Sequence, residues 1–491
     1  MSKSELVLPA GSTTVGSTLL QAFPADLLRD ATTGVERVLV GGNFNLLGCA
    51  VGDAAHCAAH TEAKVDQGSR LLQEIAKLED PQVALRLLRF CGGFAKLVHS
   101  MRCTPFDNHL EQLETFDAKV RATFGEFAGF CSSDAEWDQA TLAVRFAGLG
   151  LRKTARHAAA AFLSSVVACR EPCRELDPRF QLDFDDAVSG PGKALAAVNA
   201  LLPEGRGLDS STVFTCKQQV LSLRLDKAVF DQRLSTASSP AVKASLRSEC
   251  EPGAYDFLQA VPSTKMGLTM NSAEFSTTLQ TRLCQDVLPG DVWCPLCDCV
   301  LDTKGFHARL CAAGGERVVR QNSVRNCVFN AARSAGLRPE LDKAGLLLPA
   351  RLDDVDRTRR RPADVFLPAW LNGSPAALDF AVTAPQRQAV VYQAAENALA
   401  SARAYAGTKR SFLDTEQLCR SSGIEFVPMV AESTGAWEPG ALDVLRQVAR
   451  TSALRSSRPA GTVFLELKQR LSLTIRRGLA RALLRRLADA A

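Results

Sequence analysis

Apolar residues recur at helical intervals through most of the chain and give way to short strand-like runs in a few places. Asp80-Pro81 opens the first clear helical stretch, QVALRLLRFCGGFAKLVHSMR, with Val83, Leu87, Leu88, Cys91 and Phe94 as apolar positions and Arg86, Arg89 and Lys96 between them. DNHLEQLETFDAKVRATFGEFAGF continues as a second amphipathic helix. A Gly-Leu-Gly turn precedes a third, Ala-rich helix in AVRFAGLGLRKTARHAAAAFLSSVVA. Between residues 171 and 290, CKQQVLSLRLDKAVFDQRL, SPAVKASLRSE and SAEFSTTLQTRL are helical stretches separated by Gly and Pro breaks. RVVRQNSVRNCVFNAARSAGL, ALDVLRQVARTSA and the Leu-rich FLELKQRLSLTIRRGLARALLRRLADA complete the helical inventory.

The strand-like runs are fewer. VERVLVGGNFNLLGCAVGD reads as two short strands with turn residues between and after them. VFLPAWL and AALDFAVTA form a second pair, joined by the turn residues Asn372-Gly373-Ser374-Pro375, and EFVPMVAE is a further strand. Asp364 stands at the start of the first member of that pair and Asp379 inside the second. A hairpin would bring both carboxylates to one sheet edge, an arrangement of hard oxygen ligands that suits Mg2+ or Mn2+. The plainer reading is that Asp364 caps a turn and Asp379 sits at a strand edge.

Cys294 and Cys297 enclose two residues in CPLC, and His307 and Cys311 lie one helical turn apart downstream. Two such short segments can close a tetrahedron around a structural Zn2+, with Gly305 turning the chain back. Cys299 can take the place of Cys297 in that set. After it, Arg317, Arg320 and Arg325 lie on or near one helix face, ahead of the cluster Arg357, Arg359, Arg360 and Arg361, and the combination suggests contact with nucleic-acid phosphates. The last helix carries Lys468, Arg470, Arg476, Arg477, Arg481, Arg485 and Arg486, which either bind nucleic acid or accompany a Leu face packed on a core.

Composition narrows the class without naming a partner. The 491 residues divide into roughly two to four domains. The net charge of +5 is too modest to imply nucleic acid by itself. No run approaches a membrane span and the N-terminus lacks a signal-peptide pattern, so an intracellular protein is expected, with its 16 cysteines reduced.

The motifs also carry a resemblance. RRRPADVF followed by LDF resembles the R-P-D…D signature of the restriction-like PD-(D/E)xK endonuclease domain of site-specific non-LTR retrotransposons. In those elements the domain follows a CCHC zinc knuckle at the C-terminal end of the reverse-transcriptase polyprotein. Arg361 and Pro362 match the R-P, Asp364 the first metal-binding Asp and Asp379 the second. Ala363 separates Pro from Asp, and Ala381 occupies the usual lysine position. In this retrotransposon group the lysine sits on the following helix near an aromatic residue, a place that Lys409 with Phe412 fits. A straight helix over that separation would carry it roughly 45 Å away, so the chain must fold back. Glu396 is a nearer polar residue, and Glu340 matches the extra acid that many such nucleases place ahead of the strands.

Upstream, FNLLGCAVGD resembles the LG-x-P-[IL]-G primer-gripping segment without its Pro. LLRFC…H, then FD, then GLGLR before an Ala-rich helix resembles the thumb of the same enzymes, and Arg282-Leu283 resembles a pair on the helix leading into their knuckle. The paired aspartates of a polymerase palm do not precede this region: Glu79-Asp80 reads as a helix cap, and Phe184-Asp185-Asp186 comes after the thumb-like part. The resemblance therefore implies a chain that does not synthesise DNA alone and works with a partner polymerase.

Taken together, an α+β multidomain chain is expected: residues 1–34 poorly structured, a thumb-like helical region over 35–170, a helical linker over 171–290, and a zinc knuckle over 291–315. A restriction-endonuclease-like α/β domain with a central mixed sheet would follow over 316–445, then a basic helix over 446–491. The function this implies is a Mg2+- or Mn2+-dependent endonuclease acting on DNA, with RNA as a candidate further partner, the choice between the two left open, and a nuclear address taken from the family. Asp364, Asp379, Lys409 and Glu340 would be catalytic, with Arg361 on phosphate. A non-catalytic nucleic-acid-binding retrotransposon remnant is the alternative.

Overall fold

The computed structural model describes residues 42–347 and 361–490, together with residues 6, 7, 23, 28, 38 and 39. Most of the segment 1–34, and Arg357, Arg359 and Arg360, lie outside the described residues. The protein is mostly helical, with small sheets and one mixed four-stranded sheet near the C-terminus. It divides into two compact units, one made of residues up to 78, 84–130 and 151–229, the other of 79–83, 131–150 and 230–491. Among the described residues no helix is long and apolar enough to cross a membrane.

In the first unit, β1 (Phe44–Leu46) and β2 (Cys49–Val51) form an antiparallel hairpin. Its two turn residues, Leu47 and Gly48, have φ of 49° and 84°, the left-handed pair that matches strand twist in a two-residue loop. α1 (Ala54–Ala76) follows, capped by Asp53, whose carboxylate accepts from the His56 N–H at 2.8 Å. α2 (Val98–Cys103), α3 (Leu110–Ala128), α4 (Thr154–Leu176), α5 (Gly190–Ala200) and α6 (Gln218–Ser235) come next. The start of α4 is capped from a different helix: Asp117 of α3 accepts from the N–H groups of Thr154 and Ala155 at 2.7 and 3.0 Å. Phe184 is buried with Phe162, Leu195 and Leu225, while Asp185 and Asp186 sit in a turn closed by the Asp183 carboxylate.

The single helix expected over QVALRLLRFCGGFAKLVHSMR is broken. A helix over Pro81–Leu87 widens into a π-turn at Leu88–Gly92, and α2 starts afresh at Val98. Gly92-Gly93 is the cause: a Cβ on Gly93 would meet the Leu88 carbonyl oxygen at 2.8 Å, and one on Gly92 would meet Ile75 Cδ1 at 2.6 Å. The buried apolar side chains of this stretch include Ala84, Leu85, Leu88, Leu97 and Met101, whereas the expected Leu87 and Cys91 are exposed.

The second unit contains α7 (Pro240–Glu249) and α8 (Ser272–Arg282), the latter with an Asn271/Glu274 capping box, so residues 230–290 are part of a packed body. The β3 (Val292–Trp293) and β4 (Val300–Leu301) hairpin and α9 (Phe306–Leu310) lead to α10 (Glu316–Ser334). β5 (Glu340–Leu341), β6 (Val365–Leu367) and β7 (Ala376–Thr383) are then followed by α11 (Val391–Glu396), α12 (Ala400–Ser411) and α13 (Thr415–Ser421). β8 (Glu425–Glu432), α14 (Pro439–Ser456) and α15 (Ala460–Ala490) close the chain. The sheet order is β8-β7-β6-β5, parallel between β8 and β7 and antiparallel elsewhere.

Strand alternation divides the sheet residues cleanly. Val365, Leu367, Leu378, Phe380 and Met429 face a core shared with Val328 of α10, Leu445 of α14 and Leu471 of α15. Phe366, Ala377, Ala381 and Val430 face the other way, and Ala402 and Ala406 of α12 pack on Ala381 and Val430. The C-terminal helix packs its Leu face. Arg476 and Arg486 are fully buried, Lys468 meets Asp256 at 3.2 Å, Arg481 meets Glu274 at 2.6 Å and Arg485 meets Glu316 at 2.7 Å.

Candidate active site and metal centre

The pairing of Val365 with Leu378 sets Asp364 opposite Asp379, one step further along the same antiparallel register. Both belong to the sheet face covered by α12. Asp364 Oδ2 accepts from the Phe380 N–H at 2.8 Å, which turns its carboxylate across onto β7. Ala402 and Ala406 are small enough to let α12 lie close to the sheet, and the next position on that helical face is Lys409. Its Nζ lies 2.6 Å from Asp379 Oδ1. The turn of chain needed for this comes between α11 and α12, where Leu399 takes φ 62°.

Asp379 is pushed up to about 6, chiefly by burial; Lys409 pulls it down and Asp364 pushes it further up. Two carboxylates held together with one ammonium leave an excess of negative charge and of oxygen donors, a set that fits a hard divalent cation. Asp364 also lines, with Asp342, Lys343 and Arg361, a cleft of about 500 Å3.

Glu340 pairs with Phe366 in the β5–β6 register, and its carboxylate engages Lys343. The acid aligned with Asp364 is instead Asp342, whose N–H donates to the Asp364 carbonyl at 3.1 Å and whose carboxylate meets Arg325 at 3.3 Å. Sequence reasoning missed Asp342 because only the register distinguishes it from Glu340. Glu396 lies near Arg247, 4.0 Å away.

The expected arginine face on α10 does not form as one surface. Arg320 is buried, its stem packed on Gly478 of α15, and donates to the Arg309 carbonyl at 3.4 Å, so it is no phosphate ligand, whereas its helical neighbour Arg317 is exposed. Arg325 is held by Asp342. Arg317 joins Arg309, Arg387 and Tyr405 around a pocket of about 170 Å3 at the end of β7. Tyr405, one turn before Lys409, links this pocket to the carboxylates: Lys409 Nζ lies 5.9 Å and the Arg387 guanidinium 5.3 Å from the Tyr405 ring. Arg387 and Tyr405 are functional candidates with no motif to reveal them.

The knuckle assembles as its spacing suggests. One donor atom from each of Cys294, Cys297, His307 and Cys311 falls within 4.8 Å of all the others. Cys297 Sγ is 3.3 Å from His307 Nε2 and 3.6 Å from Cys311 Sγ, near the roughly 3.8 Å edge of a tetrahedron with Zn–S bonds of about 2.3 Å. Cys299 is exposed and outside this group. Asp302 caps α9, accepting from the Phe306 and His307 N–H groups at 3.0 and 2.7 Å, and so orients the second ligand pair. The group could bind a zinc ion. Three thiolates would outweigh a bound Zn2+ by one charge, and the buried guanidinium of Arg486, against Cys294 and Cys311 and 3.6 Å from the Glu316 carboxylate, would offset part of it.

One buried cluster went unforeseen. Arg282 of α8 and Arg476 of α15, both fully buried, converge on the Glu249 carboxylate, and Arg282 also donates to the carbonyls of Val144 and Gly148 at 2.7 and 3.1 Å. Arg282 stands out in the sequence only through the Arg282-Leu283 pair and Arg476 only as one basic residue of the last helix; neither signal points to burial or to Glu249.

Compared with models of known protein families and with curated proteins, the chain matches none.

Proposed function

We propose that the protein is a metal-dependent endonuclease that cleaves nucleic-acid phosphodiesters, DNA foremost, through a restriction-endonuclease-like site on the mixed sheet. The observation that carries this reading is the convergence of Asp364, Asp379 and Lys409, residues separated in sequence and drawn from the entry to β6, from β7 and from α12. The resemblance to the endonuclease domain of site-specific non-LTR retrotransposons supports it, since those are the residues that match its motif.

When bound, Mg2+ or Mn2+ would supply a polarised water and neutralise charge on the phosphate. Asp364 and Asp379 would hold the cation, and Lys409, released from its pairing with Asp379, would donate to charge developing on the phosphate. Arg361 in the cleft, with Arg317 and Arg387 around Tyr405, would contact flanking phosphates. The Cys3His group would hold zinc as a structural tie. DNA synthesis would fall to a partner polymerase, and the work to the nucleus, as in the retrotransposon group.

The test is nicking of supercoiled plasmid with Mg2+ or Mn2+, comparing wild type, Asp364→Ala and Asp379→Ala, with zinc measured on each preparation. Metal-dependent nicking that both substitutions abolish is expected. A folded, zinc-loaded protein that binds DNA and does not nick it would make the protein a non-catalytic binding remnant.

A further inference from the structure

A second group of soft ligands lies in the first unit. Donor atoms of Cys49, His99 and Cys103 fall within 4.8 Å of one another. We infer that these three residues form a further metal site, for zinc or a similarly thiophilic divalent ion, distinct from the Cys3His knuckle.

The ligands come from two elements that the fold brings together. His99 and Cys103 are four residues apart on α2, so they share one helix face. Cys49 begins β2 immediately after the Leu47-Gly48 turn and is buried, whereas His99 and Cys103 are exposed. The hairpin is held by imidazoles: His99 Nε2 donates to the Leu47 carbonyl at 3.1 Å, and His60 Nε2 donates to the Gly48 carbonyl at 3.1 Å. A carbonyl oxygen only accepts, so Nε2 of His99 carries the proton and its lone pair sits on Nδ1. A metal-bound imidazole has this arrangement, one nitrogen on the ion and the other N–H fixed by a carbonyl.

Two thiolates and a neutral imidazole would leave a divalent ion electrically neutral, so partial burial at Cys49 carries little charge penalty. Three protein ligands leave one tetrahedral position open on the exposed side, unlike the closed set of the knuckle. Bound metal would clamp the β1–β2 hairpin to α2 and would exchange faster than the knuckle ion.

The experiment counts zinc in the reduced full-length chain and in Cys103→Ser, His99→Ala and Cys297→Ser. Cys91→Ser, at another exposed thiol, serves as control. Two zinc equivalents are expected in wild type and control, one in each of the three variants, and a weak chelator should remove the equivalent missing from Cys103→Ser before the other. Circular dichroism of Cys103→Ser, whose thiol is exposed, checks that the loss is not unfolding. Cobalt substitution should give five thiolates' worth of charge-transfer absorption in wild type and three in Cys103→Ser, because the knuckle keeps its own. A single equivalent in wild type, or a second that survives in both Cys103→Ser and His99→Ala, overturns the site. Neither result bears on nicking.

Discussion

Lys409 lies 30 residues beyond Asp379 and places its ammonium 2.6 Å from that carboxylate. On the proposed reading the pairing would give the lysine a specific use in cleavage, because a cation that took over Asp379 would free Lys409 to face the phosphate. Lys409→Ala should lower single-turnover nicking by about 10²- to 10³-fold, the usual cost of losing one preorganised donor. Binding of uncleaved DNA should change little. Nicking within threefold of wild type would remove Lys409 from the reaction.

The same carboxylate predicts a pH response. Asp379 titrates at about 6 in the folded protein against 3.8 for an ordinary aspartate, mainly because of burial. A folded-state value raised in this way favours folding below the unfolded value and loses that contribution as pH rises through about 6. The loss amounts to roughly 3 kcal/mol at 1.36 kcal/mol per pH unit. Asp379→Asn lacks it, so the stability of wild type relative to the variant should fall between pH 4 and pH 8, read by urea unfolding at both ends. Nicking at subsaturating Mg2+ should rise through the same window, since a cation competes with the proton. A pH-independent difference between the two proteins would show that Asp379 is ionised throughout.

The carboxylate pair was legible in the sequence because strands have a period of two and a Pro/Gly/Asn turn separates them. The position of Lys409 was legible only as a requirement that the chain turn back; what satisfies it is Ala402 and Ala406, whose small size is a packing fact and no motif. Glu340 and Asp342 differ by the register of a two-residue strand, which periodicity does not resolve. Arg320 and Arg317 look alike in sequence, although one is buried and the other exposed, because an arginine's burial depends on acceptors contributed from elsewhere. The Gly92-Gly93 break was visible as a dipeptide, yet the helical period around it outweighed the signal.

Zinc at the knuckle should stabilise more than the knuckle. Leu483 of α15 is buried against Cys294, Leu301 and Cys311, with Leu487 beside it. Removing zinc by chelation, or by Cys297→Ser, leaves thiols and an imidazole with no centre to hold them, and Arg486 with no thiolates to neutralise. Hydrogen exchange should then accelerate by at least tenfold over residues 292–311 and over the last two turns of α15. The strands carrying Asp364 and Asp379 should keep their protection. Exchange confined to 292–311 would mean that α15 holds its end without the metal.

Glu249 is the strongest test of the buried ionic cluster. Its carboxylate receives both Arg282 and Arg476, and both guanidinium groups lie over the Phe257 ring, at 5.9 and 5.0 Å from its centroid. Burial lowers the Arg282 pKa and the Glu249 charge opposes that shift. Glu249→Ala leaves two cations in a site with no anion, and removing one partner of a buried pair typically costs about 3–5 kcal/mol. Replacing all three, Glu249→Leu with Arg282→Met and Arg476→Met, removes the charges together and should recover part of that loss. Chemical denaturation of the single and triple variants measures the difference. A triple variant no more stable than Glu249→Ala would mean that the hydrogen bonds from Arg282 to the Val144 and Gly148 carbonyls, and from Arg476 to the Ala254 carbonyl at 3.0 Å, matter more than the charge balance.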